Sequence, residues 1–386
     1  MDTKTKTNTY IANTYGRFDV VAASGHGSII VDETGREYID LGSGIAVNSF
    51  GVADPVWLEA VTAQASKIQH SSNLYYTKPG ADLAEALCER TGMKKVFFSN
   101  SGAEANECAI KAARKWAADN KGADCYTIIT LENSFHGRTI TTLAATGQDV
   151  FHKDFTPLTE GFVTAKANDK DSIREAVAAN KVAAVMMEAV QGEGGVVPLE
   201  KDFVDEVFRL AAENDFLVIF DEVQTGNGRS GKLFAYENFG VTPDIVSTAK
   251  GLAGGLPIGA TLLGEKVKDT FAPGLHGSTF GANPVCCAAA LSVISRIDEK
   301  LLSEVREKSD YVFNTLAGKP GIEGVTGMGL MIGIKTSKDA SEVVAKCQEN
   351  GVLVLKAKDK VRLLPALNIP FDLLKKAVDV IAEAAK

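Results

Sequence analysis

The stretch FLVIFDEVQTGNGRSGKL, residues 216–233, combines two features of phosphate chemistry. An apolar run ends in Asp221 and Glu222, as in strands that hold Mg²⁺, and GNGRSGKL almost matches the nucleotide loop G-x-x-x-x-G-K-[ST]. The loop does not follow the strand directly, however, and Leu233 stands where a Ser or Thr hydroxyl would bind Mg²⁺. The acidic strand also precedes the loop. These departures disfavour a P-loop ATPase.

A lysine ends the next apolar run, DIVSTAK (244–250), and a glycine-rich turn follows it. Because α/β proteins bind ligands at the carboxyl ends of their strands, Lys250 and Asp221 are expected at one edge of a sheet. Partial burial there would lower the pKa of the lysine, which suits a nucleophilic or carbonyl-binding amine. A salt bridge for Asp221 and a surface position for Lys250 are the structural alternatives.

The segment SNSGAEAN (99–106) is typical of an anion site. Ser101 can cap the N-terminus of a helix, and Glu104 three residues later would complete a capping box. Gly102 and Ala103 then present free backbone amides, which suit a phosphate. A capped helix without a ligand would explain the same residues, but the nearby Asp221 and Lys250 favour a functional interpretation.

Alternating apolar runs and amphipathic segments predict the elements that position these residues. Short buried strands are predicted at 94–100, 125–133, 183–190, 216–223 and 244–250. Helical patterns lie between them, an alternation that indicates an α/β fold with a mostly parallel sheet. The predicted domains are an N-terminal segment (1–45) packed with the small domain, a large domain (46–280) and a small α+β domain (281–386). The N-terminal segment includes a hairpin with the turn DETG.

The composition narrows the class of protein. A net charge of −8 gives no support for binding to nucleic acid or anionic membranes. No apolar run is long enough to span a membrane, and the polar N-terminus lacks a signal-peptide pattern, so a cytoplasmic location is expected. The six cysteines form no C-x-x-C pair and no cluster has metal-ligand spacing. We therefore expect reduced core thiols and no metal site.

With these features in order, the chain resembles the class III, fold-type-I pyridoxal-phosphate aminotransferases over essentially its whole length. The signature region is IFDEVQTGNGRSG (219–231) followed by DIVSTAKGLAGGLPIGA (244–260). Several further segments are most similar to the acetylornithine aminotransferases: NTYGRFDV, GIAVNSFG, HSSNLYY, SNSGAEANECAIKAARKW, SFHGRT, EAVQGEGGV, HGSTFGANP and VRLLPALNI. The resemblance implies a large domain with a seven-stranded-type sheet and pyridoxal 5′-phosphate as cofactor.

The resemblance also assigns cofactor-binding residues. Lys250 would bind the cofactor covalently and move protons during catalysis, and Asp221 would pair with the pyridinium nitrogen. Gly102 and Ala103 would bind the phosphate, and Phe135 and Val223 would pack on the two ring faces. Gln224 would bind the phenolic oxygen, and Glu222 is also implied as a cofactor-binding residue. Thr279 would reach the phosphate of a partner subunit, so a homodimer with shared active sites is implied.

Carboxylate-bearing substrates need cations, and an arginine presents a planar fork that matches a carboxylate. The resemblance implies that Arg138 binds the α-carboxylate of an ornithine-type donor. When glutamate or 2-oxoglutarate binds, Arg138 would take the distal carboxylate and Arg362 the α-carboxylate. Glu193 would pair with Arg362 when that arginine is not needed. Further substrate contacts implied are Ser278 from the partner subunit, Tyr15 and Asn73.

The implied reaction moves the distal amino group of N-acetylornithine to 2-oxoglutarate, in arginine biosynthesis. Alternative donors are ornithine, succinylornithine, 4-aminobutyrate and an acylated aminoadipate-semialdehyde partner, while Ile45 argues against free ornithine because ornithine enzymes tend to carry a tyrosine there. A cofactor-binding protein without catalysis is a further alternative, disfavoured by the intact Lys250. Val52 and Asp54 replace two histidines common in the family, so altered local packing is expected there.

Overall fold

The computed structural model describes all residues 1–386. The helices and strands alternate through most of the chain. The helices are α1 Thr3–Tyr10, α2 Ser43–Ala46, α3 Pro55–Ala65, α4 Lys78–Thr91, α5 Gly102–Lys121, α6 Ile140–Ala145, α7 Lys170–Ala179, α8 Lys201–Asn214, α9 Pro284–Ile294, α10 Glu299–Leu316, α11 Ala340–Glu349 and α12 Phe371–Ala385.

Seventeen strands form four sheets. They are β1 Ala22–His26, β2 Ile29–Asp32, β3 Glu37–Asp40, β4 Lys95–Ser99, β5 Thr127–Leu131, β6 Phe162–Ala165, β7 Val182–Met187, β8 Val190–Gln191, β9 Val197–Pro198, β10 Leu217–Asp221, β11 Ile245–Thr248, β12 Gly259–Leu263, β13 Ile322–Met328, β14 Met331–Thr336, β15 Val352–Leu353, β16 Leu355–Ala357 and β17 Lys360–Leu363.

The central sheet has seven strands in the order β4-β12-β11-β10-β7-β5-β6. All pairs are parallel except those of β12, which runs antiparallel to β11 and β4. Strands β7 and β10 are buried at every position, as expected for a sheet covered on both faces. The predicted α/β fold with a mostly parallel sheet is confirmed, and β6 and β12 are the two strands of this sheet that the sequence pattern did not predict.

Two smaller sheets flank the central one. The N-terminal hairpin β2–β3 continues through a parallel pairing of β3 with β15, so the first residues join a strand from the C-terminal third of the chain. The second sheet, β13-β14-β17-β16, is antiparallel and packs with α10 and α11, and α12 packs against these two helices. The domain boundaries at 45 and 280 stay a prediction. No helix has both the length and the apolar character needed to cross a membrane.

The loop GNGRSG (226–231) is buried. Arg229 is 2% exposed and donates hydrogen bonds to the carbonyls of Leu330 and Pro365. Asn227 donates to Thr248 Oγ1 at 3.0 Å. The loop therefore ties the central sheet to the C-terminal part of the chain, which explains its glycines without any nucleotide.

Asp54, at one of the positions where relatives carry histidine, caps α3 and binds Arg296. Its Oδ1 accepts from Trp57 N at 2.9 Å and lies 2.8 Å from Arg296 Nη2. The guanidinium of Arg296 stacks over the ring of Phe50, with 3.8 Å to the ring centroid. Trp57 in turn donates from Nε1 to the carbonyl oxygen of Ala253 at 2.7 Å, and Ala253 is three residues after Lys250. Asp54, in place of the histidine, thus contributes a helix cap and an ion pair to the packing near the turn that follows Lys250.

Candidate active site

A cleft of about 630 Å³ opens at the carboxyl ends of β7, β10 and β11. Polar and charged residues from separate parts of the chain converge there. The charged side chains that line it are Arg138, Glu188, Glu193, Asp221 and Lys250. The predicted convergence of Asp221 and Lys250 at one edge of the sheet is therefore what the structure shows.

Asp221 ends β10 and is 3% exposed. Its Oδ2 accepts from Asn106 Nδ2 at 2.7 Å and lies 2.8 Å from His136 Nδ1, while Oδ1 accepts from Val223 N at 3.0 Å. These donors replace the water that a buried carboxylate loses. They hold the Asp221 carboxylate in one position at the floor of the cleft.

Lys250 directly follows the turn out of β11 and has φ of +47°. A left-handed conformation is strained for a lysine, and such strain is concentrated at functional sites. Its Nζ makes no hydrogen bond or ion pair within the protein. Burial lowers the pKa of Lys250, an effect that Glu193 partly opposes. The amine is therefore poised to react as a nucleophile or base.

The N-terminus of α5 points two unpartnered amides at the cleft. Ser101 Oγ accepts from Glu104 N at 3.2 Å, so the predicted cap is present. The Glu104 carboxylate accepts from Asn100 N at 2.6 Å rather than from the cap residue itself. The amides of Gly102 and Ala103 donate no hydrogen bond. A Cβ on Gly102 would lie 2.6 Å from Val223 Cγ1, so only glycine fits. This end of the helix can hold a phosphate.

Arg138 and Phe135 line the cleft from the loop after β5. The Arg138 guanidinium lies 5.3 Å from the ring centroid of Phe135 and 4.2 Å from that of Phe151. It is exposed and makes no ion pair. Two aromatic rings thus orient the guanidinium while leaving its donors free for a carboxylate.

Arg362 lies in β17, is 3% exposed, and pairs with Glu193 through Nη1 to Oε1 at 2.6 Å. The same nitrogen donates to Gln224 Oε1 at 3.2 Å. Burial would raise the pKa of Glu193, but Arg362 and Lys250 outweigh it and the pKa lies below its ordinary value. Glu193 and Gln224, which line the cleft, therefore lie between the cleft and the Arg362 guanidinium.

Some residues implied by the resemblance lie elsewhere. Glu222 does not line the cleft, because its carboxylate accepts from Thr225 Oγ1 and from Tyr236 N. Glu222 directly follows β10 and is fully buried. Its inclusion among the cofactor contacts stays a prediction. Tyr15 does line the cleft and is 70% exposed.

Ser278 and Thr279 line a separate recess that shares Asn100 with the cleft. Ser278 Oγ accepts from Asn100 Nδ2 at 3.0 Å. Asn73 donates to the carbonyl oxygens of Ser278 and Gly281, so it belongs with this recess and not with the cleft of its own chain. Their implied roles toward a partner subunit stay predictions.

Three polar residues of the cleft were not predicted to be functional. Asn106 and His136 bind Asp221, and Glu188 follows β7 with 6% of its surface exposed. Glu188 carried a signal that could have been used, since it is an acid at the end of an apolar run, as Asp221 is. Asn106 and His136 gave no local signal, because their partner is far away in the sequence.

Residues 10–385 match the family Aminotransferase class-III. The chain belongs to this family, whose members use pyridoxal 5′-phosphate, and it is a transaminase acting on amino acid and oxo acid substrates. The residues present fit the cofactor: two free amides for a phosphate, a carboxylate fixed for a pyridinium nitrogen, and an unpaired lysine amine.

Relatives of known name are similar over nearly the whole chain. Identity is 51% to the acetylornithine aminotransferase of Haemophilus ducreyi, covering 97% of this chain and 96% of the relative. It is 44% to the enzyme of that name from Clostridium acetobutylicum, covering 98% and 99%.

Solved structures give the same family. The N-acetylornithine aminotransferase of Stenotrophomonas maltophilia has a TM-score of 0.85 and 36% identity, covering 98% of this chain and 97% of that one. An ornithine aminotransferase of Toxoplasma gondii with partial occupancy of pyridoxal phosphate has a TM-score of 0.94 and 31% identity, covering 99% and 93%.

Proposed function

We propose that this protein moves the distal amino group of N-acetylornithine to 2-oxoglutarate, giving N-acetylglutamate 5-semialdehyde and glutamate. The observation that carries the proposal is that one cleft holds an unbonded lysine amine and a free arginine, Arg138, while a second arginine, Arg362, lies behind Glu193 at the wall of that cleft. The identities of 41–51% to relatives named acetylornithine aminotransferase support this donor. That reaction belongs to arginine biosynthesis.

The chain's own residues divide the chemistry. Pyridoxal phosphate, when bound, supplies an aldehyde that takes up amino groups and a ring that withdraws electrons. Asp221, held by Asn106 and His136, would pair with the ring nitrogen of the bound cofactor and favour its protonated form. Lys250 Nζ would hold the cofactor and, once released, accept a proton from the substrate carbon that carries the amino group.

Substrate selection follows from the two arginines. A donor with one carboxylate binds to Arg138, while Arg362 stays paired with Glu193. A dicarboxylate occupies both arginines and displaces Glu193. Ile45 is 41% exposed and lies with Tyr15 in a recess beside the N-terminal segment. An apolar side chain there suits an acylated amine better than a free ammonium group, which would need a polar partner.

The homodimer, its shared sites and a cytoplasmic location belong to this proposal. Leu74, Tyr75 and Tyr76 are at least 71% exposed on consecutive positions, which supports a surface covered by a second subunit. Ser278 and Thr279, in a recess outside their own cleft, would then complete the partner's site.

The experiment compares wild type with Lys250→Ala in the same assay. Wild type should be yellow, lose that colour on adding glutamate, and form a borohydride-stable adduct at residue 250. The variant should lose at least about 10⁴-fold in kcat, because no other amine lines the cleft. Normal turnover by the variant would overturn the assignment.

The donor is tested by kcat/KM for N-acetylornithine, ornithine, succinylornithine and 4-aminobutyrate. A preference for N-acetylornithine of about tenfold or more is expected, which corresponds to about 1.4 kcal/mol. A higher kcat/KM for any other donor would reject N-acetylornithine while leaving the aminotransferase chemistry in place.

A further inference from the structure

Glu188 bridges two loops through its two carboxylate oxygens. It follows β7 and is 6% exposed. Oε1 accepts from Phe135 N at 2.9 Å, and Oε2 accepts from Gly192 N at 3.1 Å. Both bonds are to backbone amides, so the carboxylate fixes the path of each loop and not merely one side chain.

The two loops carry the groups that would recognise substrate. Residues 133–139, the recognition loop, include Arg138. Residues 191–195, the Glu193 loop, include the partner of Arg362. The loops also touch directly, since a Cβ on Gly194 would lie 2.6 Å from Asn133 O. Glu188 lies beneath this junction, and a change in its bonds would change the position of one loop relative to the other.

The bridge depends on the charge of Glu188. An ionised carboxylate accepts on both oxygens, whereas a protonated one carries an O–H that needs an acceptor of its own and is a weaker acceptor on that oxygen. Burial raises the pKa of Glu188 to about 7, and His136 opposes the rise while Asp221 adds to it. The titratable groups around the bridge are thus His136, Asp221 and Lys250.

We propose that Glu188 is a positioning residue that couples the recognition loop to the Glu193 loop and so sets how Arg138 and Arg362 together fit a dicarboxylate. This role rests on the proposed function, in which those arginines bind substrate carboxylates. The proposal requires in addition that Glu188 affects substrate binding through the position of Arg138 and not through a contact of its own with the substrate.

The test is a double-mutant cycle of Glu188→Gln and Arg138→Lys in the holoenzyme. Glutamine keeps the length but has one acceptor oxygen, so one of the two amides loses its partner. We expect KM for 2-oxoglutarate to rise about tenfold with less than about threefold change in kcat. In the Arg138→Lys background the same change should add less than about threefold, because residues acting through each other are not additive.

Asp244→Asn is the matched control. Asp244 is a partly buried acid whose pKa is likewise raised by burial, and it accepts from a backbone amide, Val218 N at 2.9 Å. It precedes β11 and therefore lies at the opposite edge of the sheet. A loss of stability alone should appear in both variants, whereas the rise in KM should appear only in Glu188→Gln.

Independent, fully multiplicative effects of Glu188→Gln and Arg138→Lys on KM would overturn the proposal, as would an unchanged KM in Glu188→Gln. If Glu188→Gln does not fold, Glu188→Asp takes its place in the cycle. Aspartate keeps the charge but is too short to reach both amides, so it should raise KM for 2-oxoglutarate in the same way, and the rise should again be smaller in the Arg138→Lys background. Failure of both variants to fold would show a role in stability only. An inactive wild type would instead reject the proposed function.

Discussion

Arg138 is exposed, unpaired and held between two aromatic rings, whereas Arg362 is buried and bonded to Glu193 and Gln224. The two guanidinium groups therefore bind a substrate carboxylate from different environments, one exposed and one buried. Arg138 loses little hydration when a carboxylate arrives, and it is available to every substrate. Arg362 already has a carboxylate, and a substrate must exchange with it.

The difference teaches how one cleft can serve two substrates. A buried guanidinium without an anion is destabilising by several kcal/mol, so Arg362 needs Glu193 whenever no substrate carboxylate is present. Exchanging one carboxylate for another leaves the charge balance unchanged, so the exchange can be close to neutral. Selectivity then comes from the second carboxylate of the substrate and not from the first.

The largest effect is expected from Arg138→Ala. Since both substrates use this arginine, kcat/KM for N-acetylornithine and for 2-oxoglutarate should each fall about 1,000-fold, or about 4 kcal/mol. Steady-state kinetics with each substrate varied in turn measures both values. Arg209→Ala, which removes an exposed arginine on α8, serves as the control. A loss confined to one substrate would break the comparison.

Arg362→Lys should give a smaller and selective loss. The lysine keeps the charge beside Glu193 but loses the planar fork, so kcat/KM for 2-oxoglutarate should fall about 100-fold. For N-acetylornithine the value should stay within about threefold of wild type, because this donor leaves Arg362 paired with Glu193. Equal losses for the two substrates would show that Arg362 has no selective role.

Much of the fold and the centre of the site could be predicted from the sequence, because the signals are local. Asp221 ends one apolar strand, Lys250 follows another by two residues, and Ser101 caps the helix that begins at Gly102. Strand β12 is GATLL, a short apolar run with no alternation that marks it as antiparallel.

The partners of these residues could not be predicted, since they depend on contacts distant in sequence. Asn106 and Asp221 are 115 positions apart, and Glu188 and Phe135 are 53 apart.

The smallest effect is expected from Glu193→Gln, which bears directly on the exchange at Arg362. Glutamine can still accept a hydrogen bond from Arg362 but carries no charge, so a substrate carboxylate displaces it more easily. KM for 2-oxoglutarate should fall about threefold. For N-acetylornithine, kcat/KM should fall about threefold because Arg362 is no longer neutralised, which shifts the ratio between the substrates about tenfold. Glu213→Gln, which breaks an exposed ion pair with Arg209, controls for the loss of one negative charge. If the ratio in Glu193→Gln matches that of this control, Glu193 does not act as the alternative partner of Arg362, and the two arginines differ only in their burial.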